Sequence, residues 1–204
     1  SRETFLGVQL GAIGFMALLS AVLITCVAAL SLATAERVER NANLFLQQAV
    51  MEVAGQTVPA DPAAVAAWYA GAVTEDPAAP GRFLVRDAPG GAVRTVVYRR
   101  QARGLWGLIT AVVGVNPATG AFRQLRILDQ NETPGLGARI TEPWFLAQSD
   151  GRRGPFRLVP EGTRSTRTDE LDAITGATVT SAAIRDMLNG VVRDLPQPAE
   201  EPAP

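Results

Sequence analysis

Asp172-Ala173-Ile174-Thr175-Gly176-Ala177-Thr178-Val179-Thr180-Ser181 leads straight into a segment whose apolar residues recur at helical spacing. Ile184, Met187, Leu188, Val191 and Val192 form one stripe, and a stripe of that kind is buried against another element. Ser181 is the expected N-cap of this helix, since its hydroxyl can accept a bond from a free first-turn amide. Ahead of it, Thr175-Gly176-Ala177-Thr178 has too little side chain to pack as a strand and reads as a loop. The chain therefore closes on an amphipathic helix presented by a small-residue loop.

Outward from this segment the pattern changes from helical period to strands. Phe83-Leu84-Val85 is followed by a Pro-Gly-Gly turn and a second run over residues 93–98. Residues 105–115 form a long apolar run that ends at Asn116-Pro117-Ala118-Thr119-Gly120, and residues 122–128 alternate apolar and polar side chains. Runs joined by glycine-containing turns read as antiparallel hairpins. A short helix is expected at residues 62–72, entered by Asp61 with Pro62 at its first position. Residues 74–81 read as a loop. The expected class is α+β, an antiparallel sheet with flanking helices.

Residues 4–35 are 32 consecutive uncharged, mostly apolar residues. A bilayer core needs about 20 in a helix. Ala33-Thr34-Ala35 resembles a signal-peptidase site, but the apolar region of a signal is only about 7–15 residues long. A retained transmembrane anchor over residues 1–35 is therefore expected, with the lipid bilayer as its surroundings. Gly7, Gly11 and Gly14 form a small-residue face on which a partner helix could pack. Arg2 before the span, with Arg37 and Arg40 after it, weakly favours a cytoplasmic C-terminal side, a rule that says little when a large domain follows. Residues 36–55 read as a helix leaving the membrane, with Val38, Leu44, Phe45, Ala49 and Val53 on one face and Gly55 as its stop. Residues 36–194 form the expected domain, and residues 195–204, Leu-Pro-Gln-Pro-Ala-Glu-Glu-Pro-Ala-Pro, a disordered tail.

Composition removes whole classes of chemistry. All nineteen basic residues are arginine, and there is neither lysine nor histidine. That excludes His-dependent triads, His-ligated metals and Schiff-base lysines. The single cysteine, Cys26, excludes an intrachain disulfide and a Cys-held iron–sulfur cluster. A net charge of −1 argues against nucleic acid as a partner. Neither a metal site nor a catalytic residue is expected in the chain itself.

Asp172, Thr175, Gly176, Ala177 and Thr178 match the Asp-x-x-(Ser/Thr)-Gly-Ala-Thr pattern at which a flavin transferase links FMN to a threonine oxygen. Small residues at 176 and 177 leave room for a phosphate, and the adjacent helix start favours an anionic phosphodiester. A threonine hydroxyl needs an activating base, which a chain without His or Lys does not supply, and this argues against self-attachment. Glu132-Thr133-Pro134-Gly135-Leu136-Gly137, with Gly104-Leu105-Trp106-Gly107, is the second feature. With the N-terminal anchor, these motifs resemble a family of covalent-FMN subunits. Its two branches are the C component of the sodium-translocating NADH:quinone reductase and the related G component of the Rnf ion-translocating electron-transport complex. Val53-Ala54-Gly55 and the Gly-Leu-Trp segment suit the first branch, and the length of 204 residues suits the second, so the branch stays open.

The resemblance implies an FMN-binding domain with covalent FMN on Thr178. Asp172, Thr175, Gly176, Ala177, Thr180, Trp106, Glu132, Thr133 and Leu136 are its implied cofactor-binding residues. It implies a separate flavin transferase for maturation, other membrane subunits as partners, and electron relay within an ion-translocating complex. The domain would lie on the periplasmic side of a bacterial inner membrane. Without the resemblance, Trp106 inside an apolar run reads as core, and Pro134-Gly135 reads as a type II turn. An alternative is a membrane-tethered FMN domain that donates electrons to a periplasmic reductase. A tethered scaffold without cofactor is a third reading.

Overall fold

The computed structural model describes residues 2–88 and 90–195, with side chains from residue 11 onward. The expected tail thus lies, except for Leu195, outside the described residues. The chain divides into two units, Ser1–Asn43 and Leu44–Pro204.

The first unit is helical. Helix α1 runs Arg2–Val53, and from residue 11 to residue 43 every side chain is exposed. Phe15, Leu23, Val27 and Leu30 stand among them, so this stretch is apolar all round with no protein over it, as suits lipid. Thr25 and Thr34 donate their hydroxyls to the carbonyls of Ala21 and Leu30, which satisfies the polar groups within the helix. Gly11–Val53 includes a window of mean hydropathy 2.5, long and apolar enough to cross a membrane.

The second unit begins with the end of α1, which stops at a glycine as the sequence suggests. Gly55 has φ +80°, its amide donates to Glu52 and the amide of Gln56 donates to Met51, a Schellman closure. Ala49, Val50, Val53 and Ala54 are buried there, whereas Val38 and Phe45 of the expected stripe are exposed. Helix α2, Pro62–Ala72, starts as read: Asp61 caps it by accepting from the Ala63 amide.

Five strands follow in sequence order as one antiparallel meander: β1 Val73–Glu75, β2 Arg82–Arg86, β3 Val93–Arg103, β4 Leu108–Val115 and β5 Phe122–Asp129. The expected loop at 74–81 thus gives up Thr74 and Glu75 to an edge strand paired with β2. The apolar run at 105–115 is not one element. It breaks at Gly107, and only Leu108–Val115 is strand.

Both faces of the sheet are covered, which explains why β4 reads as a continuous apolar run rather than an alternation. On one face Val97, Val112, Phe83 and Val85 pack with the end of α1. On the other, Ile109, Ala111, Val113, Leu125 and Ile127 pack with Ile184, Met187, Leu188 and Val191 of helix α4, Thr178–Asp194. Burying each of the larger side chains of that stripe contributes roughly 1.5–3 kcal/mol.

Residues 130–172 hold elements that the sequence does not announce. A 3-10 turn at Gly137–Thr141, helix α3 at Pro143–Leu146 and a second 3-10 turn at Ala147–Ser149 precede strands β6, Arg157–Val159, and β7, Glu170–Asp172. These last two pair in parallel as a separate two-stranded sheet.

Candidate functional site

Three segments converge on a cavity of about 300 Å³. The first is the β3–β4 hairpin tip. Arg103 pairs with Leu108, and the Gly104 amide donates to the Gly107 carbonyl at 2.8 Å, so Leu105 and Trp106 are pushed outward. Leu105 lines the cavity, and Trp106, 68% exposed, is no core residue. The second segment is the loop after β5. Pro134 and Gly135 are the central residues of a turn closed by the Leu136 amide on the Thr133 carbonyl, with Gly135 at φ +74°, the type II geometry expected of this dipeptide. Glu132, Thr133, Leu136 and Gly137 line the cavity.

The third segment is Gly176 to Thr180. A turn closed by the Ala177 amide on the Ile174 carbonyl, with Gly176 at φ +78°, sends the chain directly into α4. The helix therefore begins at Thr178 with Ala177 as N-cap, four residues before the expected cap at Ser181. Ser181 is not the cap. Its hydroxyl accepts from the otherwise buried Ile174 amide and donates to the Ala177 carbonyl, tying the loop to the helix from within. The first helical bond is from the Ser181 amide to Ala177, so the amides of Thr178, Val179 and Thr180 precede it and lack helical acceptors. Ala177 offers no side-chain oxygen to them. This end of a 17-residue helix, open to the cavity, favours an anion.

Glu132 ties the three segments together. It is 5% exposed, its Oε1 accepts from the Trp106 amide at 3.0 Å, and its Oε2 accepts from the Thr180 hydroxyl. The Trp106 indole donates in turn to the Thr133 hydroxyl at 2.8 Å. Burial pushes the Glu132 carboxyl up, but the bonds from Thr180, Trp106 and Leu105 outweigh it and hold the group below its ordinary value. Among the described residues no arginine pairs with it. The packing leaves no slack: a Cβ at Gly137 would meet both the Glu132 carboxylate and the Thr180 hydroxyl at 2.8 Å.

Two of the expected site residues lie elsewhere. Asp172, in β7 and 7% exposed, lines a second cavity of about 410 Å³ with Arg139, Glu161 and Arg164. Its Oδ2 accepts from the amides of Gly162 and Arg164, and its backbone exchanges two bonds with the Gln148 side chain. Thr175 is exposed, and its amide donates to Glu161 Oε2 at 2.7 Å. Glu161 also pairs with Arg139 at 2.8 Å, and these bonds hold its carboxyl down at about 2. So the fold gathers Thr178, Gly176, Ala177, Thr180, Glu132, Thr133 and Leu136 around one cavity, whereas Trp106 is not part of its lining and joins it only through its bonds to Glu132 and Thr133. Leu105 and Gly137, from the two segments the sequence singles out, line the same cavity; sequence reasoning missed Val179 there, and Arg139 and Glu161, which line the second cavity. Nothing local marks Glu161.

Residues 104–193 match the family model described as FMN-binding domain. The chain is 34% identical over 108 residues to the G component of the ion-translocating oxidoreductase complex of Methanosarcina acetivorans, over 52% of this chain and 53% of that protein. It is 30% identical over 112 residues to the C component of the Na(+)-translocating NADH-quinone reductase of Pasteurella multocida, over 51% of this chain and 42% of that one. The chain thus spans about half the length of the curated relatives it matches. Among solved structures it resembles NqrC of Shewanella oneidensis, with TM-score 0.61 and 21% identity over 71% of this chain and 88% of that one. The C component of the Na(+)-translocating NADH-quinone reductase of Parabacteroides distasonis gives TM-score 0.60 and 20% identity, over 78% and 96%. At these identities the structural likeness is one of fold. The resemblance drawn from the motifs is borne out at the level of an FMN-binding domain with relatives in both branches.

Proposed function

We propose that this chain is a membrane-anchored flavoprotein subunit with FMN linked by a phosphodiester to Thr178, relaying electrons within an ion-translocating oxidoreductase complex of the Rnf or sodium-translocating NADH:quinone reductase type. The observation that carries the reading is the position of Thr178. It is exposed, it is the first residue of α4, and it borders a cavity whose other walls are the Pro134-Gly135 loop and the hairpin tip. The residues present suit the group. Unfilled amides at the helix start and the bare Cα of Gly176 would receive the phosphate, and Leu136 and the hairpin tip offer apolar surface to a flat ring.

Bound flavin would supply the one- and two-electron chemistry, and the chain's part is to hold, orient and partly shield it. Covalent attachment keeps the group in place on the periplasmic side, where we place the domain. The relatives' names support membrane subunits as partners, and the absence of a His or Lys base supports a separate flavin transferase.

The test is ultraviolet fluorescence of the full-length chain on a denaturing gel after expression with a flavin transferase. A fluorescent band is expected. A folded, membrane-bound chain whose band stays dark contradicts the proposal.

A further inference from the structure

Asp172 belongs to the attachment pattern by sequence, yet it points away from the cavity that Thr178 borders. Its carboxylate sits behind the acceptor loop and accepts from the amides of Gly162 at 2.8 Å and Arg164 at 3.1 Å. Arg164 is in the left-handed region, with φ +46°, a conformation a non-glycine residue keeps only when its surroundings impose it. The loop fixed in this way carries Glu161, whose Oε2 accepts from the Thr175 amide at 2.7 Å. Arg139 braces the same carboxylate from the far side, through two guanidinium bonds of 3.3 and 2.8 Å. Arg139 follows the Glu132–Gly137 wall of the cavity by two residues, so the brace spans from one wall to the other.

We propose that Asp172 and Glu161 act in series as positioning residues for flavin attachment: Asp172 shapes the 161–164 loop, and Glu161 of that loop holds Thr175 so that Thr178 is presented in one geometry. The inference rests on the proposed attachment at Thr178. In that reaction the Thr178 oxygen bonds to the phosphorus of the FMN half of flavin adenine dinucleotide and the pyrophosphate bond breaks. Adenosine monophosphate leaves, the hydroxyl proton is released, and no electron moves. Neither carboxylate touches the cofactor. Each acts before transfer, by limiting the conformations of a loop that must bring its hydroxyl in line with the breaking bond.

The experiment measures two quantities on the full chain in detergent. The first is the rate of covalent loading by a flavin transferase with flavin adenine dinucleotide and Mg²⁺, and the second is hydrogen exchange of the apo chain over residues 174–178. Asp172→Ala and Glu161→Ala should each slow loading roughly tenfold or more and speed exchange at Thr175. The double variant should be little slower than either alone, because both act through one chain of contacts. Glu161→Gln, which keeps an acceptor for the Thr175 amide, should recover much of the loss. Multiplying effects in the double variant, or slow loading in Asp172→Ala with unchanged exchange at Thr175, would show that Asp172 is read directly by the transferase and overturn the proposal. If Asp172→Ala does not fold, Glu161→Ala and Arg139→Gln carry the test, and wild-type loading and exchange in both would equally overturn it. Failure of the wild-type chain to load at all would instead contradict the attachment reading itself.

Discussion

Two carboxylates brace the candidate site, and they do so in opposite ways. Glu132 is buried, faces three neutral donors and holds the hairpin tip, the Pro-Gly loop and α4 to one another. Glu161 is a quarter exposed, is paired with an arginine, and holds the acceptor loop from outside. The inner brace cannot be lost without stranding donors in a water-poor place, whereas the outer one can be traded for water. The difference separates two tasks: the first builds the cavity, and the second aims the residue that is modified in it.

Removing the inner brace should have the largest effect. Glu132→Ala strands the Thr180 hydroxyl and the Trp106 and Leu105 amides and opens a void, so we expect a loss of about 2–4 kcal/mol in chemical denaturation. An unchanged unfolding midpoint would erase the contrast between the two braces. Thr180→Val keeps the shape and removes one donor, and should cost about 1–2 kcal/mol. It should also raise the Glu132 pKa toward its ordinary range, measurable by NMR titration of the carboxyl carbon.

The outer brace should be visible in the pH dependence of stability. Glu161 is held at about 2 against an ordinary value near 4.5. Its contribution to stability is therefore complete above about pH 4.5 and fades as pH falls through that window toward 2. Glu161→Gln should flatten the acid limb of the stability curve between pH 4.5 and 2, with its deficit against wild type fullest above pH 4.5 and closing as pH falls toward 2. Glu132, also held low, acts with the same sign, so part of the slope should survive. A variant with the full wild-type slope would show that Glu161 is no brace. The smallest stability effect is expected at Leu136→Ala, within about 0.5 kcal/mol because the side chain is 43% exposed. Its consequence should lie instead in the absorption spectrum or midpoint potential of the bound flavin.

Local signals were legible wherever one short segment carried its own reason. Asp61-Pro62 announces α2, Gly55 ends α1, and the Pro134-Gly135 turn forms as its dipeptide demands. The hairpins around β4 follow from apolar runs and turn residues. What failed was whatever depends on distant contacts. Ser181 has the chemistry of an N-cap, but the fold uses its hydroxyl to satisfy Ile174, and α4 starts earlier. Trp106 sits in an apolar run, yet hairpin geometry turns it outward. Strands β6 and β7 have three residues each, too few to show a period, and their pairing is set by packing alone. Most of the cavity lining was present in two motifs, but Glu161 reaches Thr175 across fourteen residues, and only the folded chain brings them together.

Whether Thr178 carries the flavin is decided by peptide mass spectrometry of the chain matured with a flavin transferase. The added mass of an FMN phosphodiester is expected on Thr178 in the wild type. No added mass is expected in Thr178→Val, which should unfold at nearly the wild-type midpoint because the side chain is exposed. FMN retained by Thr178→Val, or found on Thr180 or Thr175 in the wild type, would contradict the assignment.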